Sequence, residues 1–220
     1  MLEEKVELLK RDIESFAAII EKMVENGMEG LVRKNKAMLQ EIIEKDEPKA
    51  NSYEIEIDAV CTNLIAQFEP KARDLRSILM ILKMGNDLER MGDHAVNIAQ
   101  SALYLIEQPT IKSFKDLPRL AEMVNKMLRD SINSFINIDP KLAKNVCERD
   151  DEVDDLRDQL LRDLIKQMTA DPGIIERALH LMQICRNLER IADLTTNIGV
   201  DVLYMAQGRI IKHHLEERTA

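Results

Sequence analysis

An internal repeat is the feature that most limits how this chain folds. The segment LERMGDHAVNI, from Leu88 to Ile98, reappears as LERIADLTTNI, from Leu188 to Ile198. Between Leu88 and Tyr104, eight of seventeen residues are identical to the residue 100 positions later, without a gap. A match of this density at one offset indicates that a structural unit has been duplicated. We therefore expect two copies of one fold.

Each copy is predicted to be a bundle of three helices. The 220-residue chain has only seven Gly and six Pro, and its apolar residues recur at helical spacing rather than in alternation. The sequence therefore predicts an all-α fold of two tandem three-helix bundles. The expected boundaries are residues 1–107 for the first bundle, 108–118 for a linker, 119–212 for the second bundle and 213–220 for a tail.

Local signals set the expected helix ends. A kink is predicted at Asn26–Gly27, and Pro48 is expected to bend the second helix. Asp171 before Pro172 has the pattern of a helix N-cap followed by proline in the first turn. Beyond the first helix, the expected helical ranges are 37–68, 71–107, 119–137, 141–168 and 174–211.

Composition excludes several classes of protein. The net charge of −9 argues against general nucleic-acid binding, which favours a basic surface. The three cysteines, an odd number without tight spacing, do not predict a disulfide framework or a zinc site and are typical of a reduced, cytosolic chain. The N-terminus is charged from its third residue, so no signal peptide is expected. The longest uncharged apolar stretch, Ala95 to Ile106, is too short to span a bilayer, so no membrane insertion is expected.

Paired carboxylates are the most informative candidates for a site. Two like charges four residues apart share one helix face and cost roughly 0.2–0.5 kcal/mol if nothing compensates them. Such pairs on adjacent helices predict cations between the helices, and oxygen-only ligands suit Mg, Ca, Mn or iron better than zinc. Each copy has two of these pairs: Glu54/Asp58 with Glu89/Asp93, and Asp154/Asp158 with Glu189/Asp193.

Plainer interpretations of these residues stay open at this point. The pairs would equally form a solvated acidic face, with Arg90 and Arg190 neutralising them as ordinary ion pairs. Asn97 and Asn197 continue the acidic face and are candidates either to orient the ligands or to bind through their carbonyl oxygens. On the second copy, two overlapping pairs also have the required spacing: Asp150/Asp154 and Asp151/Asp155.

The repeated motifs resemble those of the PhoU family of phosphate-uptake regulators. The resemblance rests on NDLERMGDHAVNIAQ, RNLERIADLTTNIG and PKARDLRSILMILKM, and it extends over almost the whole chain. It implies two three-helix bundles related by a pseudo-two-fold axis. It also implies a cytosolic accessory protein that links the phosphate ABC importer to a sensor histidine kinase and helps to keep the phosphate-starvation response off.

The resemblance further implies a homodimer and multinuclear iron or zinc clusters held by E(D)xxxD motifs, which fall on the four acidic pairs named above. The second copy has Ala192 and Leu194 where the first has Gly92 and His94, so the two sites are not expected to be equivalent.

A carboxylate-bridged metalloenzyme, an oxidase or a hydrolase, is the competing interpretation. Such oxidases usually combine Glu with an E-x-x-H motif, and no Glu in this chain is followed three positions later by His. The sequence also lacks a phosphate-binding glycine loop, a nucleotide fingerprint and a nucleophile motif. These absences argue against an enzyme, and the resemblance to the PhoU family implies a regulatory adaptor instead.

Overall fold

A computed structural model describes residues 2–111 and 116–207, and almost all of these residues are helical. The first repeat contains α1 (Leu2–Val32), α2 (Lys36–Glu41), a π-helical turn (Ile42–Asp46), α3 (Glu47–Phe68) and α4 (Ala72–Ile106). The second repeat contains α5 (Leu117–Asn137), α6 (Pro140–Glu148), α7 (Asp150–Ala170), a 3₁₀ turn (Pro172–Ile174) and α8 (Ile175–Gln207). None of the helices in these ranges is long and apolar enough to cross a membrane. The predicted all-α class is confirmed.

The first helix buries the apolar stripe that the helical spacing predicts. Its buried residues include Val6, Leu9, Ile13, Phe16, Ile20 and Val24. The helix does not end at Asn26–Gly27, where the sequence predicts a kink, but continues to Val32. Glycine serves close packing here: a Cβ atom on Gly27 would lie 3.3 Å from Cγ2 of Ile98 in α4. The missing side chain lets two helices approach each other.

The middle helix of each repeat is interrupted. In the first repeat, Pro48 lies in the first turn of α3, directly after the π-helical turn. Proline has no N–H to donate to the carbonyl of Glu44 four residues earlier, and its ring would clash with that carbonyl. In the second repeat, the helix predicted over 141–168 is divided at Arg149. Asp139 caps α6, with Oδ1 accepting from the backbone N–H groups of Lys141 and Leu142 at 2.9 and 3.2 Å.

The two repeats share one continuous core. Helix α4 packs against α8, and α1 packs against α5, where Glu21 forms an ion pair with Arg129. Contacts along α4 and α8 run in opposite directions, so these helices are antiparallel. The contacts are Lys83 with Asp201, His94 with Asn187, and the ring of Tyr104 with that of His180. Helices α4 and α8, the third helices of the two three-helix bundles, therefore form the centre of the molecule.

Helix ends agree with several sequence signals. The side chain of Asp171 accepts a hydrogen bond from the backbone N–H of Gly173 at 2.9 Å, which confirms the predicted cap. Helix α4 ends at Ile106 and α5 begins at Leu117, so most of the predicted linker lies between them. The predicted end of the last helix at residue 211 and the tail at 213–220 lie outside the described residues, as do residues 112–115.

Candidate functional site

The first acidic site lies where α3 crosses α4. Two glycines of α4 face α3: Cβ positions built on Gly85 and Gly92 would lie 3.5 Å from Cγ2 of Ile57 and 3.8 Å from Cβ of Ala50. These two contacts show that α3 and α4 are antiparallel. Glu54 and Glu89 lie between the two contacts, so they lie at the same height along the two helices. Both side chains are partly buried.

Two carboxylates of the first repeat, Glu54 and Asp93, act on a third, Glu89. The pKa of Glu89 is raised, first by partial burial and then by the charges of Asp93 and Glu54, while the Arg90 charge opposes the rise. Asp58 is exposed, one turn further along α3, and does not contribute to this shift. We call Glu54, Glu89 and Asp93 the first carboxylate cluster.

The second acidic site contains a basic side chain that sequence reasoning missed. Arg157 of α7 contacts three of the four predicted ligands of this repeat. Its guanidinium donates from Nη1 to Glu189 at 2.9 Å and from Nε to Asp158 at 3.0 Å, and Nη2 lies 3.2 Å from Oδ1 of Asp154. Its position in the first repeat is occupied by Ile57, so comparison of the repeats for identity could not find it.

The carboxylates of α7 that act on α8 are Asp150 and Asp154. The pKa of Asp150 is raised to about 6, first by burial and then by the charges of Asp193 and Asp154. The pKa of Asp193 is also raised, by partial burial and then by Asp154. We call Asp150, Asp154, Glu189 and Asp193 the second carboxylate cluster.

Partial burial and neighbouring Asp193 raise the pKa of Glu189, and Arg157 opposes that rise. Asp158, in contrast, lies against Arg157. Asp151 and Asp155 are exposed. Of the overlapping pairs on α7, Asp150/Asp154 is thus the one beside the acidic residues of α8.

A polar cleft of about 440 Å³ lies between the two repeats, beside the second carboxylate cluster. Its lining includes three of the accessory residues that the sequence singled out and two carboxylates of α8: Arg90, Arg190, Asn197, Glu189 and Asp193. The fourth accessory residue, Asn97, is half-buried on α4 and does not line this cleft. Arg90 lies 3.6 Å from Asp87, on its own helix.

His94 ties the repeats together at the edge of this cleft. Its Nδ1 lies 2.9 Å from Oδ1 of Asn187, so Nδ1 carries the proton and donates to the amide oxygen. Burial lowers the pKa of His94, the hydrogen bond to Asn187 opposes this change, and the charges of Arg190 and Arg90 add to it. A neutral imidazole with a structural hydrogen bond agrees with the sequence argument, which did not select His94 as a ligand.

The donor set has the chemistry of a site for hard cations, because every candidate ligand is a carboxylate oxygen. Within residues 2–111 and 116–207, however, no three His, Cys, Asp or Glu side chains converge closely enough to hold a metal ion. Coordination by three or more of these carboxylates therefore requires their side chains to rotate, and in the second cluster it also requires Arg157 to give way.

Comparison with known proteins agrees with the motifs and the fold. The model of the PhoU domain matches residues 13–102 and again residues 117–202. The chain is 38% identical over 215 residues to a phosphate-specific transport system accessory protein PhoU homolog of Aquifex aeolicus. The matched residues cover 97% of each chain. It is 31% identical over 217 residues to PhoU homolog 2 of Thermotoga maritima, covering 99% of this chain and 92% of the relative.

Solved structures give the same result. The crystal structure of PhoU from Pseudomonas aeruginosa superimposes with a TM-score of 0.90 at 30% identity, covering 95% of this chain and all of the other. The PhoU structure from Streptococcus pneumoniae, 24% identical with a TM-score of 0.85, supports the fold. These are accessory and regulatory proteins, so the competing prediction of a metalloenzyme is not supported. The chain therefore belongs to the PhoU family of phosphate transport accessory proteins.

Proposed function

We propose that this protein is a cytoplasmic adaptor that couples phosphate import to phosphate sensing. In this role it binds the ATPase subunit of the phosphate ABC importer and the phosphate-sensing histidine kinase, and it restrains the starvation response when phosphate is plentiful. The proposal is supported by membership of a family whose relatives are named as accessory proteins of the phosphate-specific transport system. A homodimer is the proposed assembly.

The observation that carries the proposal is the pair of acidic clusters on the third helices. Each cluster joins two helices of one repeat, and both third helices also form the contact between the repeats. A partner or a cation bound at either cluster thus contacts the elements that hold the molecule together. Charge complementarity favours a basic partner surface, since the chain carries a net charge of −9.

Binding to the ATPase subunit tests the adaptor role. Biolayer interferometry with the purified importer subunit is expected to detect the wild-type protein, and Glu89→Gln/Asp93→Asn to bind roughly tenfold more weakly. The matched control is Glu25→Gln/Glu29→Gln on α1, a pair with the same spacing outside both clusters. If the wild-type protein does not bind the subunit in the presence of phosphate, the adaptor role is wrong.

We further propose that the clusters bind metal, with iron or zinc as the physiological ions and Mg, Ca or Mn as alternatives. The ligands proposed in the first repeat are Glu54, Glu89 and Asp93. Asp58 lies one turn of α3 away from Glu54 and is a further candidate ligand. In the second repeat they are Asp150, Asp154, Glu189 and Asp193. Crowded, partly buried carboxylates with raised pKa values support a bound cation, because a cation would remove the repulsion between them.

Elemental analysis of protein purified without chelator tests the metal proposal. The wild-type protein is expected to contain metal, and Asp150→Asn/Asp154→Asn is expected to contain less. The control is Asp151→Asn/Asp155→Asn, which removes two carboxylates at the same spacing from the exposed face of the same helix. If the two double variants contain equal amounts of metal, then removing any two carboxylates at this spacing has the same effect. The metal would then not be bound specifically by the second carboxylate cluster.

A further inference from the structure

Two arginines at equivalent positions of the repeats line the polar cleft between them. Arg90 and Arg190 lie 100 positions apart in the sequence, and both belong to the lining of this cleft of about 440 Å³. Because α4 and α8 are antiparallel, with His94 opposite Asn187, the two arginines lie within about one helical turn of the same level. Each repeat thus brings one guanidinium to the same opening, where two like charges favour an anion between them.

Neither guanidinium is fully occupied by partners within the protein. Within residues 2–111 and 116–207, the exposed side chain of Arg190 has no ion pair within 4.0 Å and no hydrogen bond. Over the same residues, Arg90 has only the contact of 3.6 Å with Asp87, which is too long for a hydrogen bond. Both side chains therefore have N–H groups available to donate to an anion in the cleft.

The two carboxylates that line the cleft differ in their partners. Glu189 accepts a hydrogen bond from Nη1 of Arg157 at 2.9 Å, so its charge is already compensated. Asp193 is exposed and, in the part of the chain that the structure describes, has no basic nitrogen within 4.0 Å of its carboxylate. Two guanidinium groups therefore face one uncompensated carboxylate, and the cleft has an excess of positive charge although the whole chain carries −9.

Hydrogen-bond acceptors beside the arginines restrict which anion fits. The ionised carboxylate of Asp193 can only accept, and neutral His94, whose proton lies on Nδ1, offers Nε2 as a second acceptor. An oxyanion is favoured beside these groups if it carries a proton to donate. Inorganic phosphate keeps at least one proton at neutral pH, whereas sulfate has none and a phosphomonoester loses its second proton at about pH 6. The acceptors thus favour inorganic phosphate over both.

We propose that this cleft binds inorganic phosphate, with Arg90 and Arg190 donating to its oxygens and Asp193 accepting from its hydroxyl group. The volume of the cleft, about 440 Å³, lies at the lower end of the range for small-molecule sites. The inference goes beyond the proposed adaptor function, because it gives the protein its own contact with phosphate. Since the ligand lies between α4 and α8, its binding would stabilise the contact between the repeats.

Isothermal titration calorimetry tests this proposal with inorganic phosphate, sulfate and glycerol 3-phosphate at pH 7 and one ionic strength. Metals are first removed with a chelator, which is then dialysed away, so that a metal-bound anion does not contribute. The wild-type protein is expected to bind one phosphate per chain with a Kd of roughly 1 mM or tighter. Sulfate and glycerol 3-phosphate are expected to bind roughly tenfold more weakly or not at all.

Four variants separate the parts of the site. Arg90→Gln and Arg190→Gln are each expected to weaken phosphate binding roughly tenfold or more. The matched control is Arg186→Gln, which removes the same charge from an exposed position of α8 outside the cleft and should change the affinity less than about threefold. Asp193→Asn replaces an acceptor by an amide that can also donate, so the preference for phosphate over sulfate should fall to about threefold or less. All four positions are exposed, and circular dichroism establishes that each variant is helical.

Several results would overturn the proposal. No heat of binding with phosphate at about 10 mM would mean that the cleft is not a phosphate site. Equal affinities of Arg90→Gln, Arg190→Gln and Arg186→Gln would mean that phosphate binds elsewhere. Sulfate or glycerol 3-phosphate binding as tightly as phosphate to wild-type protein would overturn the role of Asp193 and the choice of ligand. Binding to the importer subunit is measured separately, so these failures leave the adaptor role standing.

Discussion

Asp87→Asn is expected to stabilise the protein at neutral pH. Asp87 is a largely buried carboxyl on α4, close to where α4 meets α8. Burial raises its pKa to about 6, and the charge of Asp201 adds to the rise, whereas the charges of Arg90 and Lys83 oppose it. At the matching position of the second repeat the chain carries Asn187, so the substitution places there a side chain that the duplicated helix already accommodates.

The direction of the pH dependence follows from the proton affinities. The folded protein holds a proton on Asp87 below pH of about 6, whereas the unfolded chain holds it only below about 3.8. Protons therefore bind the folded state more tightly, and stability decreases as the pH rises through this window. Each tenfold change in proton affinity is worth about 1.4 kcal/mol, so the full cost at pH 7 is about 3 kcal/mol.

The measured gain will be smaller than this cost, because the amide of asparagine also needs hydrogen-bond partners when buried. We expect Asp87→Asn to raise the free energy of unfolding by roughly 1–2 kcal/mol at pH 8. The gain should be much smaller at pH 4.5, where the folded wild-type carboxyl is neutral, and the cost of the raised pKa is lost entirely only below the unfolded pKa of about 3.8.

Urea unfolding followed by circular dichroism at pH 4.5, 6 and 8 measures this gain. Asp155→Asn is the control, since it removes an exposed carboxylate and should change stability little at any of these pH values. A gain that is the same at pH 4.5 and pH 8, or a loss of stability at pH 8, would refute the reasoning.

Three further substitutions test local features of the fold. Glu69 has a left-handed backbone conformation, with φ of 45°, so Glu69→Gly should raise the free energy of unfolding by about 1 kcal/mol, and an unchanged urea midpoint would contradict this. A Cβ atom on Gly30 would lie 2.7 Å from Cδ2 of buried Leu39. Gly30→Ala should therefore lower the free energy of unfolding by about 1–3 kcal/mol and lower the melting temperature. A melting temperature at or above that of wild type would show that Leu39 moves aside freely. Asp139→Ala should cost about 1 kcal/mol in urea unfolding because it removes the cap of α6, whereas Asp139→Asn should retain most of that stability.

The parts of the fold that depend on local chemistry could be predicted from the sequence. The apolar stripe of α1 recurs at helical spacing, and its members are buried as that spacing requires. Asp171 with Pro172 is a local capping signal, and it forms the expected hydrogen bond. The duplication is visible as identical residues 100 positions apart, and it agrees with the two matches to the PhoU domain.

The parts that depend on contacts between distant residues could not be predicted in this way. Arg157 reaches Glu189, 32 positions away, and the matching residue of the first repeat is Ile57. A comparison that searches for identity between repeats discards such residues. His94, which Leu194 replaces in the second repeat, likewise forms a hydrogen bond between the repeats that a search for identity does not reveal. Positions whose residues differ between the repeats distinguish the two halves. Only the folded structure shows which side chains these residues contact.

The shared core has a consequence for how the chain behaves as a whole. Because α4 and α8 pack against each other through buried residues, neither repeat can separate without exposing an apolar surface. The repeats should therefore unfold in one cooperative transition, unlike independent domains. The segment between Ile106 and Leu117 then acts as a tether that raises the effective concentration of one half for the other. Two fragments cut in this segment should still recombine, but their association would depend on protein concentration.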